Sequence, residues 1–255
     1  MQGEQTFWDH LDTLRAALLR VAGMLLVCMV VLFVAMPTLF DRLILAPTEE
    51  RFILYRWLAN LVGTDSIFGE HPLHIELINI HLASQFTTHL STTFYGALLL
   101  TCPYLLYELW NFIRPALYET ERQSVRAAFL GASLLFFIGC ATGYLIVFPL
   151  TFRFLAQYTL SDAIATQISL LSYMNNFWGI LFAMGLAFEL PIVCRMLSRL
   201  GLITREQLRL GRRYAVPVLL VAAALITPSG DPFTLLVVFV PLYMLYEAGI
   251  LVAVK

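Results

Sequence analysis

The chain has 255 residues, of which 60% are hydrophobic and only 13% charged, about half the charged share of an ordinary soluble domain. That length accommodates several membrane spans of about 20 residues each and leaves too little for a separate soluble domain, while a net charge of -1 gives no electrostatic footing for nucleic acid. The four cysteines (Cys28, Cys102, Cys140 and Cys194) lie in apolar runs without C-x-x-C spacing, which argues against a disulfide framework or a zinc site and leaves them as small buried hydrophobes.

Thr6-x-x-Asp9 has the form of a helix-starting box, and Phe7, Leu11, Leu14 and Leu18 recur on one helical face with Asp9, Asp12, Thr13 and Arg15 off it. Residues 1–15 therefore read as an amphipathic helix at the membrane surface. It runs into a first span over about 16–36, closed by Pro37. The acids Glu4, Asp9 and Asp12 ahead of a long apolar run argue against a cleavable signal peptide.

Residues 37–83 carry too many charges and breaks to cross a bilayer, and are expected as an outer loop with short helical pieces. Within it, Pro47 marks a helix end or an extended turn. His71, His74, His81 and His89 share this region, but Pro72 breaks their spacing, and no metal site is assigned. A second span over about 88–110 leads into Phe112 to Arg122, F-I-R-P-A-L-Y-E-T-E-R, a polar interruption with Glu119 and Glu121 as its acids and Pro115 able to start a short helix.

The third span is expected over about 127–150 and the fourth over about 170–195. Glu189 lies inside the fourth, about 9 Å from its inner end. A carboxylate there is costly unless protonated, paired or wetted, so it is a functional candidate, and Pro191 beside it frees a carbonyl and can bend the span. The fifth span, about 214–227, is only about 21 Å long at 1.5 Å per residue, against a hydrocarbon core of roughly 30 Å. Across the tight turn Pro228-Ser229-Gly230-Asp231-Pro232 the sixth, about 233–254, must sink with it, so a locally thinned bilayer is expected. Asp231 followed by Pro232 reads as an ordinary helix start, and Glu247 as an acid that reaches the headgroups.

Of the 16 Lys and Arg, only Arg42, Arg51, Arg56 and Arg153 fall outside when the N-terminus is placed inside. That bias predicts an even number of spans, both termini in the cytoplasm, and the Phe112 to Arg122 loop with them. No nucleophile elbow, phosphate-cradling loop or catalytic carboxylate pair is present in the sequence, which argues against an enzyme and gives no cofactor. What the inner side offers is carboxylates beside apolar surface, and a carboxylate can accept two parallel hydrogen bonds from a guanidinium.

The chain resembles the TatC family, the multispanning receptor subunit of the twin-arginine protein translocase. The motifs that carry it are H-L-D-T-L-R at His10 to Arg15, L-A-P at Leu45 to Pro47, L-Y-E-L-W-N-F-I-R-P-A-L-Y-E-T-E-R at Leu106 to Arg122, V-F-P-L at Val147 to Leu150, A-F-E-L-P at Ala187 to Pro191, I-T-P-S-G-D at Ile226 to Asp231 and Y-E-A-G at Tyr246 to Gly249. The resemblance implies an all-α polytopic membrane protein with six transmembrane helices in a cupped arrangement, short fifth and sixth helices, and residence in the cytoplasmic (inner) membrane. It implies no enzymatic activity. It implies instead binding of the twin-arginine signal peptides of folded precursors, transport drawing on the proton gradient, partnership with single-span TatA/TatB-type subunits, and a homo-oligomer within the receptor complex.

By position in the motifs, Glu121 matches the signal-binding acid, with Phe112, Leu117, Tyr118 and Arg122 around it and Arg15 in the N-terminal pattern. Glu189 matches the intramembrane acid, Asp231 the outer-turn acid and Pro47 the loop proline. The family pattern H-L-x-E-L-R has an acid where this chain has Thr13, so Asp9 or Asp12 is expected to supply that charge. The alternative from another class is a proton-coupled small-molecule transporter using Glu189.

Overall fold

A computed structural model describes residues 7–49, 52–62, 77–113, 119–158, 160–161, 167–199, 201–227 and 231–253, with the backbone alone at 7–10, 58–62, 110, 113 and 119–128. The chain is helical almost throughout. α1 is Phe7–Leu39, α2 Ile53–Val62, α3 Ser84–Ile113, α4 Glu119–Thr142, α5 Phe148–Gln157, α6 Leu170–Ala187, α7 Leu190–Arg199, α8 Arg205–Leu210, α9 Arg212–Ile226 and α10 Pro232–Val252. Two short strands, β1 at Leu77–Ile78 and β2 at Ile168–Ser169, pair in parallel. Among the described residues four stretches are long and apolar enough to cross a membrane: Leu11–Trp57, Phe129–Gln157, Leu170–Arg199 and Pro232–Val252. The first holds the crossing helix α1 and runs on into the loop beyond it.

The contacts divide the chain into two units, Met1–Met36 with His89–Leu134 and Pro37–Thr88 with Leu135–Lys255. In the first, α1 and α3 meet. Pro37 was expected to close the first span, but α1 continues through it to Leu39 and on into a π-helical turn, Phe40–Ile44. A proline has no N–H for the carbonyl four residues before it, here that of Phe33. That carbonyl is bonded instead by His89 Nε2, at 3.0 Å, with the imidazole stacked on the Phe33 ring at a centroid distance of 4.2 Å. A carbonyl only accepts, so Nε2 carries the proton. The neighbouring helix satisfies what the proline left open, and the helix need not stop.

In the second unit the segment after α1 hangs on phenols. Tyr144 donates to Leu43 O at 2.8 Å, Tyr173 donates to Ile44 O, and the hydroxyl of Tyr55 lies 3.1 Å from both Pro47 O and Pro149 O. Irregular backbone in apolar surroundings is tolerated only where other groups take up its carbonyls. The Arg153 guanidinium lies over the Tyr55 ring, 4.7 Å from its centroid, and Phe148 packs edge-on against Tyr173 and Phe177.

Two further expectations of helix length are corrected. The third span was placed over 127–150, but α4 passes through a π-helical turn, Gly143–Val147, into α5 and ends at Gln157. Pro149 lies directly after this π-helical turn, as the second residue of α5, and the helix continues through it. The fourth, expected over about 170–195 with a bend possible at Pro191, runs over Leu170–Arg199 with a break at Phe188 and Glu189 between α6 and α7. There Glu189 N bonds Leu186 O, a three-residue step, and α7 starts with Pro191 in its first turn.

α4 and α6 approach closely because two small residues allow it. A Cβ at Gly139 would lie 2.6 Å from Met184 O, and one at Gly185 2.8 Å from Cys140 Sγ. Small residues at such crossings let helix backbones come together in lipid. Gly139→Ala is expected to lose about 3 kcal/mol, the upper end for overpacking, because the obstacle is backbone. Thermal unfolding in detergent checks it, and an unchanged midpoint would show that the helices are free to move apart.

Candidate functional site

The loop that the sequence singles out falls between two described helix ends. Phe112 is half-buried in the last turn of α3. Leu117 and Tyr118 lie outside the described residues. Glu121 and Arg122 fall in the first turn of α4, with their side chains outside the description. Asp9 lies on α1, its side chain likewise outside, whereas Asp12 and Arg15 are exposed on α1. Asp12 and Arg15 are thus presented from the start of a helix that continues into the membrane.

Seven residues after Thr13, and so on nearly the same face of α1, is Arg20. Its Nε donates to Glu108 Oε1 at 3.0 Å and its Nη2 to Glu108 Oε2 at 2.8 Å, while the Tyr104 hydroxyl donates to Oε1 at 2.9 Å. The fork-to-fork geometry is the strongest form of carboxylate recognition a side chain offers. Glu108 is only 5% exposed, whereas the Arg20 side chain is 52% exposed. Sequence reasoning missed Glu108 and Arg20, yet a signal was there: each is a charge inside an expected span, the criterion that singled out Glu189.

The same constellation recurs in the second unit. Arg212 Nη2 lies 2.6 Å from Glu247 Oε2, and Tyr243 donates to Glu247 Oε1 at 3.2 Å. The two acids sit in similar words, P-Y-L-L-Y-E at Pro103 to Glu108 and P-L-Y-M-L-Y-E at Pro241 to Glu247. In each, the tyrosine four residues before the acid reaches it along the helix. Glu247, expected to reach the headgroups, is paired with Arg212 there. Beside it, Tyr246 donates to Leu208 O at 2.7 Å, fastening α8 to α10.

Glu189 stands in the break between α6 and α7, half-buried, and its Oε1 has no hydrogen-bond partner among the described residues. Next to it α7 packs on α10, with Cys194 Sγ and Pro191 Cα near the position a Gly249 Cβ would take. Pro47 is buried in a 3-10 turn, Ala46–Thr48. Asp231 caps α10, its Oδ1 accepting from Thr234 N at 2.7 Å, with Pro232 in the first turn. Among the described residues no group of three or more His, Cys, Asp or Glu could hold a metal ion.

The family profile "Sec-independent protein translocase protein (TatC)" matches residues 9–241. The TatC of Blattabacterium sp. subsp. Periplaneta americana is 30% identical to this chain, over 99% of it and 96% of the relative. That of Deinococcus radiodurans is 33% identical over 96% and 84%, and that of Escherichia coli K12 37% identical over 70% and 69%. A crystal structure of the twin-arginine translocase receptor TatC superposes with a TM-score of 0.73 at 28% identity, covering 96% of this chain and 97% of that one. A second, in DDM, gives 0.75 at 29%, covering 96% and 100%.

The cap on α10 is separable from any charge requirement at the outer turn. Asp231→Ala is expected to cost about 1 kcal/mol of stability and Asp231→Asn much less, since both Asp and Asn accept the Thr234 N–H. Melting midpoints of the two variants in detergent check it; equal losses would mean that the charge, not the hydrogen bond, matters.

Proposed function

The chain belongs to the TatC family of Sec-independent protein translocase proteins, and we propose that it is the receptor that takes hold of twin-arginine signal peptides through Glu121. It is a multi-pass membrane protein and a non-enzymatic subunit of the protein translocase. The observation that carries the proposal is the family match over residues 9–241, which includes the whole of the Phe112 to Arg122 loop. In that loop Glu121 occupies the third residue of α4. The N–H groups and dipole at a helix start favour an ionised carboxylate there. An ionised carboxylate binds a guanidinium through two parallel bonds, which an ammonium does not match.

The basic residues set this loop on the cytoplasmic side of the inner membrane, where precursors arrive. Phe112, Leu117, Tyr118, Arg122 and Arg15 form its setting, and Asp9 or Asp12 supplies the charge absent at Thr13. The apolar part of the signal then lies along the spans toward Glu189. The buried Oε1 of Glu189 suits a polar residue on a single-span TatA/TatB-type partner, since mutual satisfaction in lipid stabilises helix pairing by about 1 kcal/mol. A folded cargo needs a wider opening than one such chain lines, so the receptor works as a homo-oligomer with those partners, and transport draws on the proton gradient. The small-molecule transporter reading is set aside, because the relatives are protein translocase proteins.

Glu121→Gln should weaken binding of a twin-arginine signal peptide by roughly tenfold or more, the loss of a charge-assisted pair. A crosslinker placed at Phe112 should capture the twin-arginine signal and not its twin-lysine version. Equal capture of the two would overturn the reading. Reversing Asp9 and Asp12 together to Lys should also weaken binding, and unchanged affinity would show that neither of them supplies the charge absent at Thr13.

A further inference from the structure

The geometry points to a second guanidinium-binding site, the cradle of Glu108 and Tyr104, which Arg20 of the same chain fills at rest and which one arginine of the signal peptide takes over. This rests on the receptor reading and adds to it a named acceptor and a built-in competitor.

The cradle is already complete as an arginine receptor. Both carboxylate oxygens of Glu108 face a guanidinium at 3.0 and 2.8 Å, and Tyr104, one turn earlier on the same helix, fixes Oε1 at 2.9 Å. With Arg20 and Tyr104 seated on it the acid is 5% exposed, so a guanidinium that replaces Arg20 meets a site already formed. Its occupant is placed differently. Arg20 comes from the other helix and its side chain is 52% exposed, so an incoming guanidinium can approach from that open side and exchange with it.

Position agrees with this. Glu108 precedes Phe112 by four residues, one turn on the same face of α3, on the way to the loop that carries Glu121. On α1, Thr13, Ala17 and Arg20 form a stripe in which Ala17 is buried at 7% exposure. The stripe thus lacks an acid at Thr13, and at Arg20, about 10 Å further in, it meets one on the adjacent helix. Two consecutive arginines of an extended peptide point to opposite sides, so a signal engaged by both requires two acceptors in different places. Glu121 and Glu108 are two such acceptors.

The test uses the full-length protein in detergent, a fluorescent synthetic twin-arginine signal peptide and its twin-lysine version, and five forms: wild type, Arg20→Gln, Arg20→Lys, Glu108→Gln and Glu121→Gln. With the cradle self-occupied most of the time, removing the occupant should tighten binding about fivefold. Arg20→Gln should show that gain, Arg20→Lys a smaller one, since an ammonium competes without the fork, and neither gain should extend to the twin-lysine peptide. Glu108→Gln should weaken binding roughly tenfold. If the pair only pins α1 to α3, Arg20→Gln and Glu108→Gln weaken binding together or leave it unchanged, and the inference is overturned; Arg20→Lys, which keeps a cation there, decides the matter should Arg20→Gln not fold. Loss of binding in Glu121→Gln alongside that parallel behaviour overturns this site and keeps the loop. Opposite effects of Arg20→Gln and Glu108→Gln with wild-type affinity in Glu121→Gln keep this site and overturn the loop.

Discussion

Carbonyl oxygens that the helices cannot bond internally govern how this chain is put together. Prolines and π-helical turns leave such oxygens along the chain, and where apolar groups surround them only another side chain can take them up. The chain answers with side chains placed one by one: His89 on Phe33 O, Tyr144 on Leu43 O, Tyr173 on Ile44 O, Tyr55 on Pro47 O and Pro149 O, Tyr246 on Leu208 O. A buried acceptor left open costs about 1–3 kcal/mol, and a domain's whole margin is only about 5–15 kcal/mol. Leaving three or four of these carbonyls open would therefore consume most of the fold's stability. This decides the reading of the tyrosines and of His89, which act as ties in the scaffold, and it gives Pro47 a structural reason to be where it is.

Charged groups obey the same rule with higher stakes. Glu108 and Glu247 each sit near a helix end, each takes an arginine from another helix, and each takes a tyrosine from one turn back on its own. The two differ in how far they are withdrawn. The Glu247 side chain is 30% exposed and its pair is of the surface kind, which screening weakens. Glu108 is 5% exposed with Arg20 and Tyr104 seated on it. Glu189 is the third acid in apolar surroundings, and it differs in having an oxygen without a partner among the described residues.

How much of this was legible in the sequence depended on whether a residue acts along the chain or across it. Local chemistry read through: Asp231-Pro232 as a helix start, Glu189 as an acid within an apolar run, and a fifth helix too short to cross a bilayer upright. Contacts from another helix did not. Pro37 looked like a stop because its missing N–H is local while the His89 that compensates is 56 residues away. Glu247 read as an acid at headgroup level, and its partner Arg212, 35 residues before it, was not legible. The β1 and β2 pair was invisible for another reason, since a two-residue strand has no alternation to detect. The loop from Phe112 to Arg122 carries almost no physical signal by itself, and its meaning came through the order and spacing of motifs along the whole chain.

The short hairpin of α9 and α10 shows how these ties set a dimension. α9 has 15 residues, about 22 Å. The Arg212–Glu247 pair sets the start of α9 level with a point 15 residues into α10, counted from Pro232, which is the same height. The two helices are therefore matched at both ends, and the rest of α10 projects inward past the pair. With the ion pair at the inner interface, the outer turn lies about 22 Å away, some 8 Å short of a hydrocarbon core of roughly 30 Å. Either the bilayer thins to meet the turn or the turn lies in lipid, and a helix start in lipid would expose its first N–H groups. Asp231 bonds one of them, at Thr234, and Pro232 has none to offer. The cap reduces what the start of α10 would lose in apolar surroundings, while tilting would only shorten the reach of a hairpin that is already too short, which leaves thinning as the accommodation.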